Sequence, residues 1–256
     1  MKPLDVFPLP AFEDNYIWCL RRDGIVAVVD PGDAAPVLDH LSRSGDHLCA
    51  ILITHHHRDH TGGIAELTAR RPVPVHAPDA EAIAGTTHAV SGGDRLTLPE
   101  LGIDFDVLDL AGHTRGHVGY YRPATLFCGD TLFGCGCGRL FEGTAAQLQA
   151  ALKRIGALPR LTFAYCAHEY TASGIRFAEA VEPGNTEIEV RGREVARLRA
   201  AGLPTVPFTI ADELATNPFL RCQEAEVIAS VARRLGRAPA NELEVFSALR
   251  AWRDNF

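Results

Sequence analysis

The residues richest in chemistry in this 256-residue sequence stand together at Thr54-His55-His56-His57-Arg58-Asp59-His60. An apolar run over residues 48–53 leads into them and Thr61-Gly62-Gly63 follows, which predicts a strand that delivers imidazoles and a carboxylate at its C-terminal end before a helix begins. Neutral histidine supplies nitrogen to a metal ion, and aspartate supplies a hard oxygen that can be shared between two ions. In extended backbone His55 and His57 point to one side, while Asp59 and His60 turn toward an adjacent position as the chain enters the helix. His56 points the other way and is not counted as a ligand.

Three further loops present groups of the same kind: Gly112-His113-Thr114, Gly129-Asp130-Thr131 and Ala167-His168-Glu169. The resulting set can hold two divalent ions, one on His55, His57 and His113 and the other on Asp59, His60 and His168, with Asp130 serving both. A structural zinc site closes its coordination shell, whereas a shared pair of ions leaves room for water and substrate. The expected chemistry is therefore hydrolysis by hydroxide generated on the metals, with no catalytic side chain beyond the ligands. His117 is read as a packing or supporting residue, and His40, His47, His76 and His88 as structural or exposed.

Around these groups, turn residues at Asp14-Asn15-Tyr16 and Arg21-Arg22-Asp23-Gly24 punctuate short strands, and a β-branched run over 25–29 ends at Asp30-Pro31-Gly32-Asp33. Leu38 and Leu41 share one helix face, and Ile64 and Leu67 another. Further strands are expected at 73–76, 103–107, 118–121, 125–128 and 161–166. Thr144 to Gln147 has capping-box spacing ahead of a helix carrying Leu148, Leu152 and Ile155 and closed by Gly156. Beyond residue 168 strand alternation fades, and three helical patterns remain: 187–201, one carrying Val227, Val231 and Leu235, and one that opens with Asn241 and Glu244 in capping-box spacing. A boundary near 169–173 follows, with residues 1–169 as a catalytic domain and 170–256 as a helical one.

The formal net charge of −7 gives nothing global to attract nucleic acid or an anionic bilayer, although a local arginine cluster can still take an anionic small molecule. Seven cysteines without a CxxC spacing suit buried or loop thiols in a reducing compartment. The N-terminal stretch from Met1 lacks the apolar region of a signal peptide, and no run approaches the roughly 20 apolar residues a membrane span needs. The expectation is a cytoplasmic monomer with neither nucleic-acid nor membrane partner. The glycines between Asp130 and Gly138 lack a phosphate-loop pattern and are read as flexible backbone beside a substrate.

The metal motif, together with Asp14-Asn15-Tyr16, Gly136-Cys137-Gly138-Arg139, His168-Glu169-Tyr170 and Asn217-Pro218-Phe219-Leu220-Arg221, resembles the metallo-β-lactamase superfamily and more closely its glyoxalase II (hydroxyacylglutathione hydrolase) branch. The resemblance spans nearly the whole chain. It implies an α/β architecture, the four-layer αβ/βα metallo-β-lactamase fold with a C-terminal helical domain that binds glutathione. It also implies hydrolysis of S-D-lactoylglutathione in methylglyoxal detoxification, with a glutathione thioester as the partner molecule and two zinc ions, or iron or manganese, as cofactors. The same metal ligands carry over, and substrate contacts fall on Arg139, Phe141, Tyr170, Arg250 and Arg253. Phe141 stands where relatives can carry tyrosine, and Arg253 where lysine is common. Competing readings are a hydrolase of lactams, lactones or other thioesters on the same fold, a mononuclear iron persulfide dioxygenase, and a non-enzymatic module stabilised by metal.

Overall fold

The computed structural model describes residues 2–256; Met1, the first residue of the stretch read above for a signal peptide, lies outside them. The chain forms two compact units, one of Met1–Asp109 with Thr114–Gly129 and the other of Leu110–His113 with Asp130–Phe256. No helix among the described residues is long and apolar enough to cross a membrane.

In the first unit the chain runs through β1 (Asp5–Ala11), β2 (Asn15–Arg22), β3 (Ile25–Val29), α1 (Ala35–Ser44), β4 (His47–Leu52), α2 (Arg58–Thr61), α3 (Ile64–Arg70), β5 (Val75–Pro78) and β6 (His88–Val90). These six strands pair in sequence order, antiparallel from β1 to β3 and parallel from β3 to β6. Parallel strands are covered on both faces, which is why β4 reads as an almost unbroken apolar run. Leu48, Ile51 and Ile53 bury with Val37 of α1 and with Ile64 and Leu67 of α3. β1 contains Pro8 and Pro10, which remove ladder donors, and such a strand is tolerated because it lies at the sheet edge.

A second set of strands in this unit, β7 (Arg95–Leu98), β8 (Ile103–Asp109), β9 (Val118–Arg122) and β10 (Thr125–Gly129), forms an antiparallel meander. Phe105, Tyr120 and Phe127 meet edge to face with centroids 6.0–6.3 Å apart. The buried Tyr120 hydroxyl donates to the carbonyls of Ile53 (2.7 Å) and His76 (3.3 Å), tying the meander to the strand that ends at the histidine cluster. Burial pushes that phenol's pKa well up, so the hydroxyl keeps its proton and remains a donor.

The second unit contains the ribbon β11 (Leu132–Phe133) and β12 (Gly136–Cys137), then α4 (Ala145–Gly156), β13 (Phe163–Cys166), α5 (Thr171–Val181), α6 (Thr186–Ala200), β14 (Phe208–Thr209), α7 (Ile210–Thr216), α8 (Ala225–Leu235) and α9 (Glu242–Asp254). The Thr144 capping box forms as expected, although Gly156 is the last helical residue and Ala157 the cap. Asn241 caps α9, but the return bond from Glu244 goes to the Ala240 N–H instead of its own.

Five helices, not three, follow residue 168. α5 escaped the pattern because Gly174 interrupts it. A Cβ there would come within 2.1 Å of the Gly134 carbonyl oxygen, so glycine lets the helix lie directly against the ribbon backbone. α7 is only seven residues long. The expected turn at Asp14-Asn15-Tyr16 is shorter than read, with β2 already under way at Asn15.

The stretch read as flexible backbone is a fixed ribbon. Leu132 pairs with Cys137, and the Cys135 N–H donates to the buried Glu213 carboxylate (3.0 Å). Asn217 Nδ2 donates to the Gly136 carbonyl (2.9 Å), and Arg191 closes the network on Glu213 (2.5 Å). These bonds explain why compactness groups residues from 130 onward with the helices, while the change in sequence pattern falls near 169.

Candidate functional site

Four of the expected donors lie at one place in the first unit. His55 Nε2 and His57 Nδ1 are 3.0 Å apart, and His60 Nε2 is 3.5 Å from Asp59 Oδ2. Their orientation is imposed by neighbours that are not ligands. The buried Asp30 carboxylate accepts the Thr54 N–H and the Thr54 hydroxyl, both at 2.7 Å. With its single proton committed to Asp30, the Thr54 oxygen accepts from His55 Nδ1 (3.0 Å), which leaves the lone pair of His55 on Nε2.

Asp30 Oδ2 also lies 3.1 Å from His60 Nδ1. Asn15 Nδ2 donates to Asp59 Oδ2 (3.0 Å). Gly32 passes so close that a Cβ would sit 1.8 Å from the Asp59 carbonyl oxygen; only glycine fits beneath this donor. His56 turns away as expected, its Nδ1 2.9 Å from Glu81 Oε2. His117 stacks on His55 with ring centroids 4.8 Å apart, in the supporting place expected of it.

The other three donors lie in the second unit. Asp130 points one oxygen at His113 Nε2 (3.5 Å) and the other at His168 Nε2 (3.4 Å), the posture of a carboxylate able to serve two centres. His113 Nδ1 donates to the Arg139 carbonyl (2.8 Å), again presenting Nε2 as the basic nitrogen. Tyr170 stacks on His168 at 4.8 Å with ring planes 6° apart, and Phe141 meets His113 edge-on at 5.3 Å.

Arg139, Tyr170 and Phe141 are exposed. Arg253 is half-buried, donating to Ser173 Oγ (2.5 Å) beside the Phe177 ring. Burial lowers its pKa, and the charges of Arg250, Arg176 and Arg139 lower it further, so this corner has an excess of positive charge suited to an anion. Arg250 is placed differently: only 4% exposed, it donates to the carbonyls of Cys137 (2.9 Å) and Gly138 (3.4 Å) and to Asp254 (2.9 Å). Its guanidinium shapes the loop that precedes Arg139.

Sequence reading missed Asp30, Thr54 and Glu81 as supports. The Asp-Pro-Gly run at 30–32 looks like turn chemistry alone, and Asp30 does take a left-handed φ of 54°. Its position just after an apolar strand, the same signal that marks Asp130 and His168, was the available clue. All seven cysteines are buried, and the donor groups contain none of them.

Hydrogen bonds orient His55 and His113 and hold Asp59, in an all-nitrogen-and-oxygen set that fits divalent ions of the zinc, iron and manganese kind. Such donors on these two sheets define a metallo-β-lactamase-fold protein. Residues 12–168 match the model of the metallo-beta-lactamase superfamily, and residues 169–256 that of the hydroxyacylglutathione hydrolase C-terminus.

The chain is 47% identical to the hydroxyacylglutathione hydrolase of Nitrosomonas eutropha, covering 99% of both chains. It is 51% identical to that of Dechloromonas aromatica, over 99% of this chain and 100% of the relative. Among solved structures it is similar to TTHA1623 in a di-iron-bound form, with a TM-score of 0.61 and 27% identity over 84% of this chain and 100% of that one. The chain belongs to the hydroxyacylglutathione hydrolase family of that superfamily. Its fold and its His and Asp donors support a binuclear divalent metal site.

Proposed function

We propose that this enzyme hydrolyses S-D-lactoylglutathione and related 2-hydroxyacylglutathione thioesters to glutathione and a 2-hydroxy acid, in the detoxification of methylglyoxal. The observation that carries the reading is the excess positive charge around Arg253 in the unit whose donors His113 and His168 are faced by Phe141 and Tyr170. Glutathione brings two carboxylates, and a metal-dependent hydrolase without such a cluster has no use for that part of the substrate.

In this reading His55, His57 and His113 would hold one zinc ion, Asp59, His60 and His168 would hold the other, and Asp130 would serve both. Bound there, the ions would supply Lewis acidity toward a thioester carbonyl and the means to ionise water near neutral pH. The chain's own residues do the rest. Asp30, Thr54 and the Arg139 carbonyl fix which ring nitrogens are basic; Phe141 and Tyr170 wall the acyl end; Arg139 and Arg253 take the glutathione carboxylates, and Arg250 contributes charge while holding the loop before Arg139. Residues 170–256 serve as the glutathione-binding domain and 1–169 as the catalytic one. The protein is read as a monomer acting in the cytoplasm.

The test is thiol release from S-D-lactoylglutathione beside matched thioesters lacking glutathione, with protein whose metal content is measured. Two ions per chain and a clear preference for the glutathione thioester are expected. One ion per chain, or equal turnover of all the thioesters, would overturn the assignment.

A further inference from the structure

We propose that Glu81, a residue outside the donor set, is a positioning residue of the metal centre: one carboxylate that clamps the His55–His57 turn to the segment following His113. The inference rests on the metal assignment above and extends it to a residue with no sequence signal, in the turn after β5.

Its side chain is 3% exposed, yet it carries a carboxylate, and that carboxylate is satisfied by hydrogen-bond donors. Oε2 accepts the His56 N–H (2.5 Å) and lies 2.9 Å from His56 Nδ1. Oε1 accepts the Thr114 hydroxyl and the Gly116 N–H (3.0 Å). A carboxylate can only accept, so His56 holds its proton on Nδ1, and all four donors point inward.

These four donors come from two segments. His56 lies between His55 and His57, and Thr114 is the residue after His113. Gly116 has the space this requires: a Cβ there would fall 2.6 Å from Glu81 Cγ and 2.8 Å from Ala80 Cβ. The glycine after Arg115 is thus the clearance for the clamp, and His56 serves as its handle instead of as a ligand.

The experiment uses the metal-loaded full chain and the variants Glu81→Gln and Thr114→Val, titrated with a chelator while bound metal is counted, with kcat and KM measured alongside. In Glu81→Gln the amide NH2 must face one of the two donor sets, so one segment loses its acceptor. The chelator concentration that strips half the metal should fall by about 10- to 100-fold, with kcat reduced and KM changed less than about twofold. Thr114→Val removes one donor of four and should shift the same way by about threefold.

Wild-type resistance to chelation in both variants would overturn the proposal, as would a lower melting temperature of the metal-free protein with metal retention unchanged. Should Glu81→Gln fail to fold, Thr114→Val decides. Wild-type protein that binds no second ion would instead defeat the metal assignment itself, and the clamp with it.

Discussion

The two donor sets are supported by different means. In the first unit, four donors follow one another within six residues, and what orients them is a shell of side chains distant in sequence: Asp30, Asn15 and Glu81. In the second, three donors are separated by tens of residues and are oriented by backbone and aromatic groups, namely the Arg139 carbonyl, Tyr170 and Phe141. Supports of the first kind do nothing but hold donors. Those of the second also line the region assigned to substrate, so damage to the first should appear as lost metal and damage to the second as weaker substrate binding.

The largest expected effect is on the first set. Asp30→Asn puts an amide NH2 against the Thr54 N–H or His60 Nδ1, and metal affinity should drop about 100-fold, read by chelator competition. Full metal retention would break the contrast. Next comes the acid limit of the first unit. His76 is held neutral, its pKa pushed down to about 4 by burial and by neighbouring His88.

The unfolded chain takes up that proton near 6.5 and the folded one only near 4. The stability contribution is therefore complete above the unfolded value and is lost as pH falls from 6.5 toward 4, by at most about 3 kcal/mol. Trp18 and Trp252 report one unit each, so urea unfolding of Trp252→Phe protein at the two pH values should show the loss, and adding His76→Gln should flatten it.

Smaller effects are expected in the second set. Arg253→Ala should raise KM for the glutathione thioester about tenfold at nearly constant kcat, because its contact is equally strong in ground and transition states; a kcat defect with unchanged KM would contradict the division. Phe141→Tyr should lower KM by no more than about threefold, the worth of one exposed hydrogen bond, and leave metal content untouched.

What the sequence made legible follows the same contrast. His55, His57, Asp59 and His60 stand out because one strand end delivers them, and His113, Asp130 and His168 because each follows a glycine or a strand. The supports were silent: Asp30 is masked by turn chemistry that is real, and Glu81 sits in no pattern at all. Helices α6, α8 and α9 were readable from their caps and periodicity, whereas α5 hides behind Gly174. Spacing of three put Arg250 and Arg253 on one side of α9, but only tertiary packing decides that Arg250 is spent on the carbonyls of Cys137 and Gly138.

Every turnover of the proposed reaction liberates a thiol within reach of the protein that made it. Burial raises the thiols of Cys19, Cys49, Cys135 and Cys222 to about 12, so at neutral pH they carry almost no thiolate with which to attack an oxidised glutathione. Those four thiols are thereby chemically deaf to the disulfide that the product becomes.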